Sequence, residues 1–293
     1  MTTLPVITGL GTTWWVEVFE EIIPEKAQAV YDDMRLTIAR FDKRYSQFDG
    51  HSKLSIFNAA RKLPNPNAEM IAVLEYGIQL YHDTHEVFNF LASEELEPHE
   101  YDALYSFTPK AESLTTPNPD HALFISPEKI ILTIGHVDIS GYIKGFLLDL
   151  ITDRLQNIHG LTYFLINGDG NKRATSNFGE PITINLAHPT LAHTYLAQIT
   201  LYNEGFAANS THKRHWEYED STYTHSVETK IGKSNDASLA VFVKAPEAKI
   251  ADAWATTLLL SAPENHTAKL LEKNIKVALF ETSSGQLHYY QGF

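Results

Sequence analysis

Hydrophobic and polar positions alternate along "TWWVEVF" at 13 to 19, a period of two that predicts a strand with one buried face. Pro24 then opens a stretch in which Val30, Met34, Ile38, Phe41 and Tyr45 recur at steps of four, four, three and four, the period of an amphipathic helix. The same spacing predicts a second helix over 67–84, with Ile71, Leu74, Ile78 and Tyr81 on its apolar stripe. "KIILTIGHV" is rich in β-branched residues and ends at Asp138, after which Ile143, Leu147, Leu150 and Ile151 fall at helical spacing. That order is strand, turn, helix. Further strands are predicted at 162–167, 182–187, 197–203, 237–243 and 276–281, the last paired to 286–290 through "SSGQ". The acidic, proline-bearing region 92–122 reads as mostly loop. With strands and helices interspersed and no linker, repeat or low-complexity tract between them, the chain reads as an α+β fold and residues 1–293 as one domain.

Composition narrows the function classes. A charge of 23 minus 36, or −13, opposes general attraction to a nucleic-acid backbone or an anionic membrane surface. With no cysteine there is no disulfide, thiolate metal site, cysteine nucleophile or lipid-attachment thiol. The N-terminus "MTTLPVITGLG" lacks a basic segment followed by an apolar run, and no window approaches 18 continuous apolar residues. As written the chain reads as cytoplasmic, although an exported protein without its leader would look the same.

Candidate chemistry gathers at "DISGYIKGFLLD", 138 to 149, where an acidic residue, a glycine turn, Lys144 and a helix start follow one another. Such a junction presents unpaired N–H groups and the positive end of a helix dipole, which suits a phosphate but also serves as a plain tight turn. "ADAWATTLL" is expected to be helical, so Asp252 and Thr256 share one face. They are read either as an oxygen-rich half-site of the sort Mg²⁺ accepts, or as an acid favoured by the helix dipole and a hydroxyl bonded to its own backbone. In the first reading Asp252 is a ligand and not a core element. Among 14 histidines, His82 with His85 and His212 with His215 have one-turn spacing, but without cysteines or an H-E-x-x-H pattern they are not read as zinc sites.

"GLGTTWWVEV", "SQFDGHSKLSIFN" at 46 to 58, the 138–149 junction, "THSVETKIG" at 224 to 232 and "APEAKIADAWATTLL" at 245 to 259 stand in one order. Together they resemble the motifs of the FAD:protein FMN transferase (ApbE) family, over nearly the whole chain. The resemblance implies an ApbE-like, T-fold-related architecture of mixed sheets and packed helices in two intimately joined lobes, with the flavin between them. It implies FAD as substrate and Mg²⁺ held by Asp252, Thr256 and the backbone oxygen of Gly141. It places Asp138 and Lys144 against FAD, and Leu10, Phe48, Asn58 and Ser226 at cofactor-contacting positions. Val87, Phe88 and Asn89 occupy the place of a G-x-F-D-P pattern, with the carboxylate become an amide. "NGDGN" at 167 to 171 stands where relatives have N-x-G-G-D. His225, with a side chain that titrates near neutrality, is the implied general base. The implied reaction is transfer of FMN from FAD to a Thr or Ser hydroxyl of a partner redox protein, with AMP released. FAD hydrolysis at the same site, non-catalytic flavin binding and an acidic interaction domain are the rival readings.

Overall fold

The structure is a computed structural model and describes residues 1–92, 116–177, 179–210, 215–218, 221–224 and 239–293. Its chain order begins β1 (Thr2–Thr3), β2 (Ile7–Gly9), β3 (Thr12–Val18), α1 (Pro24–Tyr45), α2 (Lys53–Ala60), β4 (Lys62–Pro64), α3 (Ala68–Asp83) and β5 (Leu91–Ala92). Then come α4 (Pro119–Ala122), β6 (Leu123–Ile125), β7 (Lys129–Leu132), β8 (His136–Val137), α5 (Ile143–Asn157), β9 (Tyr163–Gly168) and β10 (Asn171–Ser176). The chain continues with β11 (Ile182–Ala187), β12 (Tyr195–Leu201), β13 (Gly205–Ser210), β14 (His215–Tyr218), β15 (Ser221–Thr224) and β16 (Leu239–Ala245). It closes with α6 (Ala248–Leu260), α7 (Thr267–Glu272), β17 (Lys276–Glu281) and β18 (Gln286–Tyr290).

The main sheet is antiparallel in the order β1-β3-β9-β10-β13-β16-β17-β18, with β2 also paired to β3. Side-chain alternation sorts its two faces. Trp14, Val16, Phe164 and Ile166 pack toward the core that holds α1, α3 and α5. Ala207, Val241, Val243, Val277 and Leu279 meet Trp254, Ala255 and Leu258 of α6. On the opposite face Leu165, Ala174, Phe206, Phe242 and Phe280 are covered by Ile182, Ile184, Leu186 and Leu201 of the β11–β12 hairpin. The fold is therefore mixed helix and sheet, as expected from the sequence.

The predicted strand at 13–19, the helix opening at Pro24 and the pairing of β17 with β18 are all present, and Val30, Met34, Ile38, Phe41 and Tyr45 are buried. Three expectations are corrected. On α3 the buried face is Met70, Val73, Leu74, Gly77, Leu80 and Tyr81, while Ile71 and Ile78 are half-buried. The stripe turns because Gly77 admits Phe90 and the Tyr142 hydroxyl against the helix backbone, where a Cβ would lie 2.8 Å from each. "KIILTIGHV" is two strands: Gly135, at φ +75°, turns the chain from β7, which pairs with β4 and β6, to β8, which pairs with β5. The strands predicted at 197–203 and 237–243 run Tyr195–Leu201 and Leu239–Ala245. Most of the region 92–122 lies outside the described residues.

Helices α5 and α6 cross at the closest approach. Gly145 allows it, since a Cβ there would sit 2.5 Å from Ala248 O and Lys249 Cα. From α5 and the turn before it to α6 three hydrogen-bonded rungs follow at four-residue intervals in opposite directions: Gly141 with Thr256, Gly145 with Asp252, and Asp149 with Ala248 and Lys249. We expect Gly145→Ala to destabilise the protein by about 1–3 kcal/mol, because alanine's better helix propensity is outweighed by backbone overpacking. Urea unfolding checks this, and an unchanged midpoint would contradict the close crossing.

His266, 3% exposed, has no hydrogen-bond partner for either ring nitrogen among the described residues and packs against Trp254 and His85, with ring centroids 5.4 and 6.4 Å away. Burial, then the neighbouring His85, holds its pKa below the ordinary 6.5. The folded state thus binds fewer protons than the unfolded chain. The stability that His266 contributes is complete above the unfolded pKa and falls as pH drops through it. Comparing melts of His266→Phe with wild type from about pH 7 to about pH 5, the variant should gain stability relative to wild type as pH falls. A constant difference would show that His266 is not held neutral.

Candidate active site at the crossing of two helices

The junction before α5 is built by its own residues. Asp138 Oδ1 accepts from Ser140 N at 2.8 Å, an Asx turn, while Asp138 N donates to Phe90 O at 2.8 Å. Ile139 O then accepts from Tyr142 N and Ile143 N. Asp138 thus shapes the turn, one of the two roles its chemistry allowed. Tyr142, the residue that precedes α5, offers no side-chain cap. Asp252 fills that place from α6: its Oδ2 accepts from Gly145 N at 2.8 Å and its Oδ1 from Asn171 Nδ2 at 2.8 Å. The capping is reciprocal. Glu247 does not cap α6, whereas Asp149 of α5 accepts from Ala248 N and Lys249 N at 2.9 Å each.

Asp252 is only 2% exposed, so it is part of the packed interior, contrary to the expectation of a ligand merely displayed on a helix face. Burial pushes its pKa up, opposed by Lys144 and by the two hydrogen bonds from Gly145 and Asn171. Its contacts are neutral donors. Asp149 is likewise pushed up to about 6 by burial, but Arg173 Nε stands 3.4 Å from its Oδ1. Thr256 Oγ1 lies 3.1 Å from Gly141 O, 3.2 Å from Asp252 O and 3.0 Å from the Asn209 side-chain amide. The one hydroxyl proton is shared between the Gly141 and Asp252 main-chain oxygens, while the Asn209 amide donates to the hydroxyl oxygen. Gly141 is wedged between Phe88 and Thr256, where a Cβ would meet Phe88 Cε2 at 2.9 Å and Thr256 Cγ2 at 3.2 Å. Lys144 Nζ reaches Asp169 Oδ2 at 3.8 Å on the β9–β10 turn.

The structure therefore brings Asp138, Gly141, Lys144, Asp252, Thr256 and Phe88 together. Val87 and Phe88 are held by Thr84, whose O and Oγ1 accept from their N–H groups. A second group forms near the N-terminus: Phe48, 56% exposed, lies over Gly11, whose Cβ position is 3.2 Å from its ring. Leu10 beside it, at φ +51°, donates its N–H to Asp42. Ser52, in the same sequence block, caps α2 by accepting from Ser55 N.

Asn58 and Asn89 are engaged with backbone. Asn58 both donates to Val137 O and accepts from Val137 N, and Asn89 accepts from Leu91 N and donates to Pro117 O. They fix β8 and β5, and through them the Asp138 turn. His225 and Ser226 lie outside the described residues, as does Gly232. His82 pairs with Asp120, and among the described residues no group of three or more His, Cys, Asp or Glu side chains is placed to hold a metal ion. No helix among them is long and apolar enough to cross a membrane. Sequence reasoning did not single out Asn171, Asn209 or Asp149. Asp149 closes the 138–149 motif, and Asn171 ends "NGDGN", so both stood in plain sight without a stated role.

The ApbE family model matches residues 10–280. The FAD:protein FMN transferase of Haemophilus influenzae is 22% identical over 290 residues, covering 90% of this chain and 82% of the relative. That of Klebsiella pneumoniae is 23% identical over 303 residues, covering 94% and 83%. Among solved structures, the ApbE protein of Thermotoga maritima superposes with a TM-score of 0.81 at 16% identity, covering 99% of this chain and 97% of that one. The flavin transferase ApbE of Vibrio cholerae gives 0.76 at 17% identity, covering 99% and 95%. The structures carry the fold, and the match along most of the sequence carries the kinship: this chain belongs to the ApbE family.

Proposed function

We propose that the protein transfers FMN from FAD to a Thr or Ser hydroxyl of a partner redox protein, with Mg²⁺ held by Asp252, Thr256 and the Gly141 carbonyl. The observation that carries this reading is a buried carboxylate that, among the described residues, accepts only from neutral donors, on the helix whose Thr256 hydroxyl bonds the Gly141 carbonyl. The donor set fits the ion. All its atoms are hard oxygens (a carboxylate, a hydroxyl and a backbone carbonyl), the kind of donor that Mg²⁺ takes. When bound, the ion supplies charge neutralisation at the pyrophosphate.

The chain's own residues do the rest. Lys144, beside the α5 N-terminus, offers a mobile positive charge to the phosphates, and Asp169 holds it near the turn. Phe48 and Leu10 present apolar surface to the flavin ring. His225 takes the proton of the acceptor hydroxyl as its oxygen bonds to the FMN-side phosphorus. The anhydride P–O bond breaks, and AMP departs with the bridging oxygen.

Incubation with FAD, Mg²⁺ and a candidate acceptor should yield a flavinylated acceptor by mass and stoichiometric AMP, and chelation of divalent metal should stop both. Free FMN without acceptor modification would establish the hydrolase reading instead. FAD titration should saturate by tens of micromolar, an affinity of roughly 6 kcal/mol.

Two variants assign the roles. Asp252→Asn should lower Mg²⁺-dependent turnover by roughly 100-fold, on the scale of losing preorganised transition-state stabilisation. Its melt without metal reports separately on the lost cap of α5. Full Mg²⁺-dependent turnover would remove Asp252 from the ion. His225→Asn should slow single-turnover transfer by roughly 10²-fold or more, the scale of general-base loss, while FAD affinity stays near wild type. Unchanged transfer with weakened binding would make His225 a flavin contact.

A further inference from the structure

Asn171 opens β10, directly after the tight turn in which Asp169 and Gly170 take positive φ. It is 1% exposed. Its side-chain amide is used by half: Nδ2 donates to Asp252 Oδ1 at 2.8 Å, while Oδ1 is buried with no hydrogen-bond partner among the described residues. Buried amide oxygens are seldom left so, and the exceptions call for a missing partner. Thr256 and Gly141 are bonded to each other, and Asp252 is an acceptor only, so none of the three provides a free donor for it. A water can supply the missing donor, and beside a carboxylate whose partners are neutral that water suits the hydration shell of a cation.

We propose that Asn171 is a positioning residue for the cation. Its Nδ2 fixes the rotamer of Asp252, and its Oδ1 accepts a hydrogen bond from water of the ion's hydration shell. This rests on the Mg²⁺ reading above. Mg²⁺ dehydrates reluctantly and keeps waters when the protein supplies few ligands, and those waters need acceptors. Outer-shell partners of this kind orient the ligating group and set metal affinity. An amide suits the place better than an acid would. It holds Asp252 without adding a second charge 2.8 Å from the first, which in the absence of metal would force the pair to share a proton.

The test uses the full chain and two variants, Asn171→Ala and Asn171→Asp, with Mg²⁺ alone as the probe. Calorimetric titration with MgCl₂ and melting with and without MgCl₂ are measured for each protein, beside the Mg²⁺ dependence of turnover at saturating FAD. For Asn171→Ala we expect the Mg²⁺ dissociation constant to rise about 10- to 100-fold and the Mg²⁺-induced rise in melting temperature to shrink. Asn171→Asp keeps an oxygen acceptor but sets two carboxylates face to face. Its metal-free melting temperature should fall, and its Mg²⁺-induced rise should exceed that of wild type. A merely structural role would lower the metal-free melting temperature of both variants and leave the Mg²⁺ affinity and the Mg²⁺-induced rise as in wild type, which overturns the inference. Should Asn171→Ala not fold, the opposite movements expected of Asn171→Asp decide the matter. A wild-type protein that neither binds Mg²⁺ nor responds to it would instead bring down the metal reading itself, and this inference with it.

Discussion

The antiparallel crossing of α5 and α6 is the constraint on which the site depends. A step of four residues advances an α-helix by about 6 Å and returns nearly to the same face. Residues 141, 145 and 149 can therefore meet 256, 252 and 248 in turn. The rungs hold only if the helices touch backbone to backbone. Two glycines permit this: Gly145 on α5, and Gly205 at the start of β13, where a Cβ would fall 2.4 Å from Ala248 Cα. A side chain at 145 would press α5 off the start of α6, and one at 205 would press β13 off the same turn. The contacts of Gly141 with Thr256 and of Gly145 with Asp252 are products of packing, before any ligand is considered.

The crossing also buries two carboxylates, each at the N-terminus of the other helix. A helix N-terminus favours an anion through its free N–H groups and its dipole, which offsets part of the desolvation cost. Burial still dominates at both, since the pKa of each acid is raised. The two differ in their cations. Asp149 has Arg173 at ion-pair distance, whereas Asp252 feels Lys144 without touching it and has Asp169 pushing the other way. Among the described residues the same device therefore leaves one end with a cation at ion-pair distance and the other without one. That asymmetry is why the cation reading attaches to Asp252 and not to Asp149.

Elements with strong periodicity were legible in the sequence. The α1 stripe, the β3 alternation, the strand-turn-helix order through Asp138 and the helix carrying Asp252 and Thr256 all follow from local pattern. β10 and β13 were not foreseen, because "NKRATS" and "GFAANS" lack an alternating apolar face and carry one large apolar residue, Phe206, between them. They become strands through neighbours on both sides, and context outweighs propensity there. The rotation of α3 was hidden for a related reason: Gly77 carries no hydrophobic signal, yet it decides which face can accept Phe90 and Tyr142. For the site, spacing alone put Asp252 beside Thr256, the 138–149 junction singled out Lys144, and motif resemblance added the Gly141 oxygen. The reciprocal caps were invisible. Asp149 and Asp252 are 103 residues apart in sequence, and only the close approach of two backbones connects them.

The amides show what a motif match does and does not carry. Asn58 and Asn89 sit at positions where resemblance implied cofactor contact, yet both are engaged with the backbone of the strands that lead into the Asp138 turn. A residue can belong to a motif because it sets the path of the chain, and the flavin then depends on it at one remove. "NGDGN" gives the converse case. Relatives place the acid at its end; here the acid is Asp169, at the turn, where it faces Lys144, and the terminal amide of Asn171 faces Asp252. Placing the acid at 169, in the turn, and the amide at 171, on β10, gives each a different neighbour. It takes a carboxylate from the side of Asp252, where it would repel, and sets one near Lys144, where it attracts. The drifted motif is therefore electrostatically consistent with its surroundings, because each of the two positions faces a partner suited to the residue it carries.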